Sequence, residues 1–164
     1  MLNVDVVNKF FECYKAHDYQ GMHSFLDKNV KFSDFAFYIQ GNQVKAMWHW
    51  FCVAYQKREE PVDVTKFEIL RSEDDIVEAK YRVSYLYGDN QRPVIYFINS
   101  RFLIQNDKIV EQVDTFGNIS ESKFAEMALG FPSQLLALRP KLLRTVVNKK
   151  ANEKLNKFMK DNGY

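Results

Sequence analysis

The sequence predicts an α+β domain, with helices set against one curved, mostly antiparallel sheet. Three observations lead there. Apolar residues recur at helical spacing in the first third of the chain. From Val64 the apolar period changes to two and holds through successive strands. A helical pattern then returns and occupies the C-terminal part.

Asn3 is placed to cap a first helix, since its side chain can accept from an otherwise orphaned backbone N–H. Val6, Val7, Phe10, Phe11 and Tyr14 then share one helical face, which ends near Ala16-His17. Asp18 caps a short second helix holding Met22, Phe25 and Leu26. Residues 29–33 read as a short strand with Val30 and Phe32 on one side, and Asp34 falls at its end among Phe32, Phe35 and Phe37. The Gly41-Asn42 turn opens a third helix. Its Val44, Met47, Trp48, Phe51, Cys52 and Tyr55 form an apolar stripe, and the polar loop at 57–61 stops it.

Residues 65–72 and 76–87 read as two strands joined at Glu73-Asp74-Asp75. In the second, Val77, Ala79, Tyr81, Val83, Tyr85 and Tyr87 share one side, and Glu78, Lys80, Arg82 and Ser84 the other. That is a sheet with one wet face. Gly88-Asp89-Asn90 turns the chain into a strand over 93–105, which aligns Tyr96, Ile98, Ser100, Phe102 and Ile104. A tight turn at Asn106-Asp107 leads to the strand KIVEQVDTF. Ser120 then caps a helix with Glu121 in its first turn, and Gly130 stops it. Strand alternation puts Asp114 on the side of Val110, Gln112 and Phe116. If that side is buried, Asp114 must be paired, protonated or functional.

Beyond residue 130 lies a basic amphipathic extension, with Pro132 and Pro140 suited to helix starts. Leu135, Leu138, Leu142, Val146, Ala151, Leu155 and Phe158 approximate one face, and Arg144, Lys149, Lys150, Lys154 and Lys157 populate the rest. Residues 131–164 carry 8 Lys+Arg against Glu153 and Asp161, a net of +6, whereas the first 130 carry a net of −4. Such a tail can pack on its own domain with a solvated basic face, or dock on a membrane or an acidic partner. Packing on the same domain is expected. No interleaving of aromatic and basic residues marks a nucleic-acid surface.

With 164 residues, 14 Phe and 9 Tyr, the chain suits one domain with a substantial aromatic core. Cys13 and Cys52 lie in apolar helical patterns without metal-ligand spacing, so free thiols in a reducing compartment are expected. The N-terminus has no uninterrupted apolar core of a signal peptide, and no apolar run reaches the ~18–20 residues that span a bilayer. A cytoplasmic location is expected. No Gly-rich phosphate loop, Ser-His-Asp set or metal-ligand pattern is present in the sequence. Neither a cofactor nor a metal is therefore expected.

The order of these elements, with FFECYKAHDYQGMHSFLDKNVKFSDF at the front, resembles the nuclear transport factor 2-like superfamily. That group includes steroid delta-isomerases, limonene epoxide hydrolases and polyketide cyclases of the SnoaL type. AHDYQG resembles the family's turn between the first two helices, and VKFSDF the strand ending in an acidic residue at the cavity mouth. AMWHWFC and DTFGNISESKFAEMALG, with the leucine-rich tail, resemble an uncharacterised SnoaL-like subgroup. The resemblance covers roughly residues 3–130. It implies a cone over 1–130, in which a strongly bent sheet wraps around helices and encloses an apolar pocket, often in a homodimer formed through the sheet's outer face.

Carried over residue by residue, Asp34 matches the carboxylate base of the steroid isomerases. Their two oxyanion donors fall on Phe10 and Ile98, so that chemistry lacks its donors here. Asp114 resembles an aspartate of the epoxide hydrolases, but the accompanying Arg-x-Asp pair falls on Tyr81 and Val83. Two carboxyl groups remain, with a base or acid role expected for Asp34 and a substrate-holding or protonating role for Asp114. Tyr14, Trp48, His49, Tyr81, Tyr96, Ser100, Phe102 and Gln112 are the expected ligand-binding residues. The resulting expectation is a domain that binds a small, largely apolar molecule, polycyclic or terpenoid-like, with acid–base isomerase, cyclase or hydratase chemistry. A non-catalytic ligand-binding module, or an interaction module docking through its basic tail, is the alternative.

Overall fold

A computed structural model describes residues 1–56, 65–87, 92–129 and 140–164. Helix α1 (Asn3–Lys15) buries the predicted face, Val6, Val7, Phe10, Phe11 and Tyr14. Its cap differs from the expectation. Leu2 is the N-cap residue, and Asn3, already helical, donates its amide to the Asp74 carbonyl at 2.9 Å, tying α1 to the far end of the sheet. Helix α2 (Tyr19–Phe25) is capped by Asp18, whose carboxylate accepts from the Gly21 N–H at 2.9 Å. Leu26, expected in α2, instead begins strand β1 (Leu26–Ser33).

A short strand not foreseen in the sequence, β2 (Tyr38–Gln40), follows. Gly41 takes a left-handed φ of 56°, the conformation glycine adopts without steric cost, and releases the chain into α3 (Asn42–Gln56). Strands β3 (Thr65–Glu73), β4 (Ile76–Tyr87), β5 (Arg92–Gln105) and β6 (Lys108–Phe116) come next, then α4 (Glu121–Leu129) and α5 (Pro140–Asn162). Asn106 and Asp107 both have positive φ, as a two-residue hairpin requires. The expected loop at 57–61, the turn at 88–90, the stop at Gly130, the Tyr55 side chain, Pro132, Leu135 and Leu138 lie outside the described residues.

The six strands form one mixed sheet in the order β2-β1-β6-β5-β4-β3, in which β1 runs parallel to β6 and every other pair is antiparallel. Helices α1 and α3 pack on its inner side, and the alternation read from β4 is observed, with Val77, Ala79, Tyr81 and Val83 all buried. On β6 the alternation is interrupted. Leu103 pairs with Glu111 but Ile104 with Ile109, so Val110 is an extra residue. This bulge turns Ile109 into the core, and Val110, expected to share the Asp114 side, stays half-buried.

Helix α5 packs mainly on α3, and its Leu155 joins the main core. The buried residues of its first turns are Leu143 and Val147, whereas Leu142, expected on the buried face, is 44% exposed. The apolar doublets Leu142-Leu143 and Val146-Val147 offer two stripes one residue apart, and docking chooses the second. Cys13 and Cys52 are free thiols. Among the described residues no helix is long and apolar enough to cross a membrane.

Candidate functional site

The parallel pairing of β1 with β6 builds the site. Its register pairs Ser33 with Val113, so the next residues, Asp34 and Asp114, come side by side where the two strands part. Asp34 is held by the tight turn SDFAF. Its Oδ1 accepts from the N–H groups of Ala36 at 2.7 Å and Phe37 at 2.6 Å, and its own N–H donates to the Phe37 carbonyl at 3.0 Å. The other carboxyl oxygen, Oδ2, has no hydrogen bond among the described residues. Burial pushes the Asp34 carboxyl up to about 7; the two backbone donors and the Arg144 charge pull it down, and the Asp114 charge pushes it up.

Asp114 is held differently. The Tyr81 hydroxyl donates to Oδ2 at 2.9 Å, and Oδ1 accepts from the Ser100 hydroxyl and from the Gln112 amide at 3.0 Å. These side chains meet because Ser100 pairs directly with Asp114 and with Ala79, two residues before Tyr81 on the same side of β4. Burial raises the Asp114 carboxyl to about 6, while its three donors favour the charged form and limit the rise. Removing a donor should therefore push it further up. We expect Tyr81→Phe to raise the Asp114 midpoint above that of the wild type in carboxyl-detected NMR titration; an unchanged or lowered midpoint would show that Tyr81 does not support the charge.

Both carboxyl groups face an open cavity of about 1480 Å³. Tyr14, Trp48, Tyr81 and Tyr96, expected as ligand-binding residues, line it. Trp48 is buried among Phe10, Tyr14, Phe32 and Phe51, and its Nε1–H has no hydrogen-bond partner among the described residues. Ser100 and Gln112 lie behind Asp114, touching its carboxylate rather than lining the cavity. Phe102 is a core residue against Phe10 and Phe11. His49 lies elsewhere: it stacks on Tyr19 at 3.7 Å, and its Nδ1 hydrogen-bonds the Tyr164 hydroxyl at 2.9 Å. One step along a helix rotates a side chain by about 100°, which takes His49 away from the face that Trp48 presents.

Several lining residues were not singled out from the sequence. Phe35, Phe116 and Phe124 form an aromatic wall with Tyr96, all ring centroids 5.3–5.7 Å from a neighbour. Trp50 lines the cavity too, beside Phe51 of the apolar α3 stripe expected from the sequence, and α5 contributes Arg144, Lys150, Lys154 and Lys157. Arg144 donates to the Asp34 carbonyl at 3.3 Å. Phe116 was readable from the alternation of β6 and Tyr96 from that of β5; the α5 contribution depends on how that helix docks.

No family model matches the chain, and no curated protein does either. Solved structures do. A protein proposed to be a polyketide cyclase from Pseudomonas putida superposes with a TM-score of 0.61 at 17% identity, over 78% of this chain and 98% of that one. A second proposed polyketide cyclase, from Silicibacter, gives 0.60 at 20% identity over 77% and 94%. An LEH-like epoxide hydrolase of M. tuberculosis gives 0.55 at 17% identity over 83% and 93%. At these identities the likeness shows the fold, which is the NTF2-like cone.

Proposed function

We propose that this chain binds a small, largely apolar molecule in the cone cavity and performs cofactor-independent acid–base chemistry on it. Asp34 exchanges the proton, and Asp114 holds the reacting group. One observation carries this reading: two adjacent carboxyl groups are raised to about 7 and about 6 at the floor of an aromatic cavity, and the charge of one raises the other. A group titrating near the working pH is populated in both forms, which favours proton transfer. The unbonded Oδ2 of Asp34 is the oxygen available to a substrate proton. Asp114, with three donors, is the more easily ionised of the two and supplies a fixed negative acceptor for a hydroxyl or a developing positive charge.

The same geometry narrows the reaction. Phe10 is fully buried and Ile98 lines the cavity, so the positions that match the steroid isomerase donors carry hydrocarbon. Tyr14, one helical turn beyond Phe10, is the hydroxyl that α1 does bring to the cavity. Tyr81 occupies the position matching the epoxide hydrolase arginine, and it donates to Asp114 without adding a charge. Cyclisation or isomerisation with neutral donors accords with this set better than hydrolysis driven by an arginine-held water. The polyketide cyclase descriptions of similarly folded proteins point the same way.

The test is a carboxyl titration by NMR on the wild type, Asp34→Asn and Asp114→Asn, followed by turnover assays on polycyclic enones, polyketide-like ketones and terpenoid epoxides. Asp34 should titrate near neutral pH, and Asp114→Asn should lower its midpoint by removing a like charge. Turnover found in the panel should fall by about 10²–10⁴ in Asp34→Asn. Independent titrations near the usual ~4 of aspartate would remove the acid–base reading and leave a binding module.

A further inference from the structure

Among the residues of α5 that line the cavity are Arg144, Lys150, Lys154 and Lys157; the three lysines share one helical stripe, and Arg144 stands apart from them around the helix. With Val147, Ala151 and Phe158 between them, this stripe gives one wall of the opening an apolar base and a cationic edge. From Lys150 to Lys157 the lysine stripe runs for about 10 Å at 1.5 Å per residue. Among the described residues none of the four pairs with a carboxylate, although Glu153 and Asp161 line the same cavity. With four cations against Glu153 and Asp161, the α5 side of the lining carries a net +2, and a net positive charge on a concave wall concentrates anionic solutes there. The floor is opposite in kind, with aromatic rings and two carboxyl groups that burial drives toward neutrality.

We propose that the α5 stripe is an anion-binding rim, and that the ligand of the cavity is amphiphilic: an apolar body lodged against the aromatic wall, with one carboxylate or phosphate group held by Lys150, Lys154 and Lys157. This rests on the reading of the cavity as a ligand site. It names the class of molecule and fixes its orientation, anionic end toward α5 and apolar end toward Asp34 and Asp114. Arg144, bonded to the Asp34 carbonyl, marks where the rim meets the reacting end.

Two fluorescent probes with one arylamine body separate the two ideas: neutral N-phenylnaphthylamine and anionic anilinonaphthalenesulfonate. Trp48 and Trp50, the two tryptophans of the chain, both line the cavity, so energy transfer from them to the probe reports binding there. In low salt the full chain should bind the anionic probe at least tenfold more tightly than the neutral one. Raising the salt should erode that preference. The triple variant Lys150→Gln, Lys154→Gln, Lys157→Gln should abolish it while leaving the neutral probe's affinity unchanged. Dodecanoate and dodecyl phosphate serve as competitors; stronger displacement by one assigns the carboxylate or the phosphate, and displacement by neither overturns the proposal. Equal binding of both probes would overturn the rim and leave the cavity reading intact. Binding of neither would overturn both. A preference that survives in the triple variant places the cation elsewhere and also overturns the rim.

Discussion

Asp34→Asn should melt higher than the wild type at pH 8 by about 2–12 °C, and the difference should vanish near pH 4. Burial raises this carboxyl from its usual 3.8 to about 7 in the folded protein. Between those values the folded state binds more protons than the unfolded state, so stability falls as pH rises through the window. Each pKa unit corresponds to about 1.4 kcal/mol. Because Asp34 keeps partial access to solvent on its cavity side, about 1–3 kcal/mol is the realistic penalty at pH 8. At roughly 2–4 °C per kcal/mol for a chain of this size, that gives the stated range. Asparagine is neutral at every pH, and its carbonyl oxygen can still accept from the Ala36 and Phe37 N–H groups. Thermal melts across pH 4–8 check this. A variant less stable than the wild type at pH 8 would show that the charged carboxylate is the favoured partner of the turn.

Phe11→Ala should cost about 3–5 kcal/mol, the range for deleting a buried aromatic ring. Phe11 is 1% exposed, and its ring lies 4.3 Å from that of Phe67, 4.8 Å from Tyr81 and 6.0 Å from Phe102. It thus joins α1 to strands β3, β4 and β5 at once. The space it vacates cannot be refilled without moving an element that three other rings also hold. Urea denaturation should show a lower midpoint at an unchanged slope. Phe11→Leu, which keeps most of the buried hydrocarbon, should lose markedly less. Equal losses for the two variants would mean that ring geometry rather than buried volume sets the cost.

Much of the architecture was legible because most segments obey one period. The β4 residues Val77 to Val83 and the α1 residues Val6 to Tyr14 each bury the side their spacing indicates. The misreadings come where a local pattern admits two answers. Leu142-Leu143 and Val146-Val147 fit either of two stripes, and only the docking of α5 decides between them. Val110 breaks the alternation of β6 by a bulge that no residue type announces. Asn3 was a sound cap by type but is used for a contact seventy-one residues away in the chain. For the site, Asp34 and Asp114 were visible as acidic residues amid apolar strands. That they share one pocket followed from the family resemblance; the pairing that sets them side by side did not, because it depends on the parallel β1–β6 register. His49 looked attractive beside two tryptophans, yet helical rotation sends it to the side of Tyr19 and Tyr164.

The β1–β6 pairing also bears on how the molecule folds. Hairpins β3–β4, β4–β5 and β5–β6 can each close early, because their strands are near neighbours in the chain. Joining Lys31 to Glu111 instead closes a loop of some eighty residues before any contact rewards it. That seam should zip late, in the step that limits the folding rate. Asp34 and Asp114 meet only across it, so their mutual electrostatic influence should be missing from every species that precedes the native state. The paired carboxyl groups would then serve as a clock for the final closure, readable by stopped-flow refolding at two pH values on either side of 7.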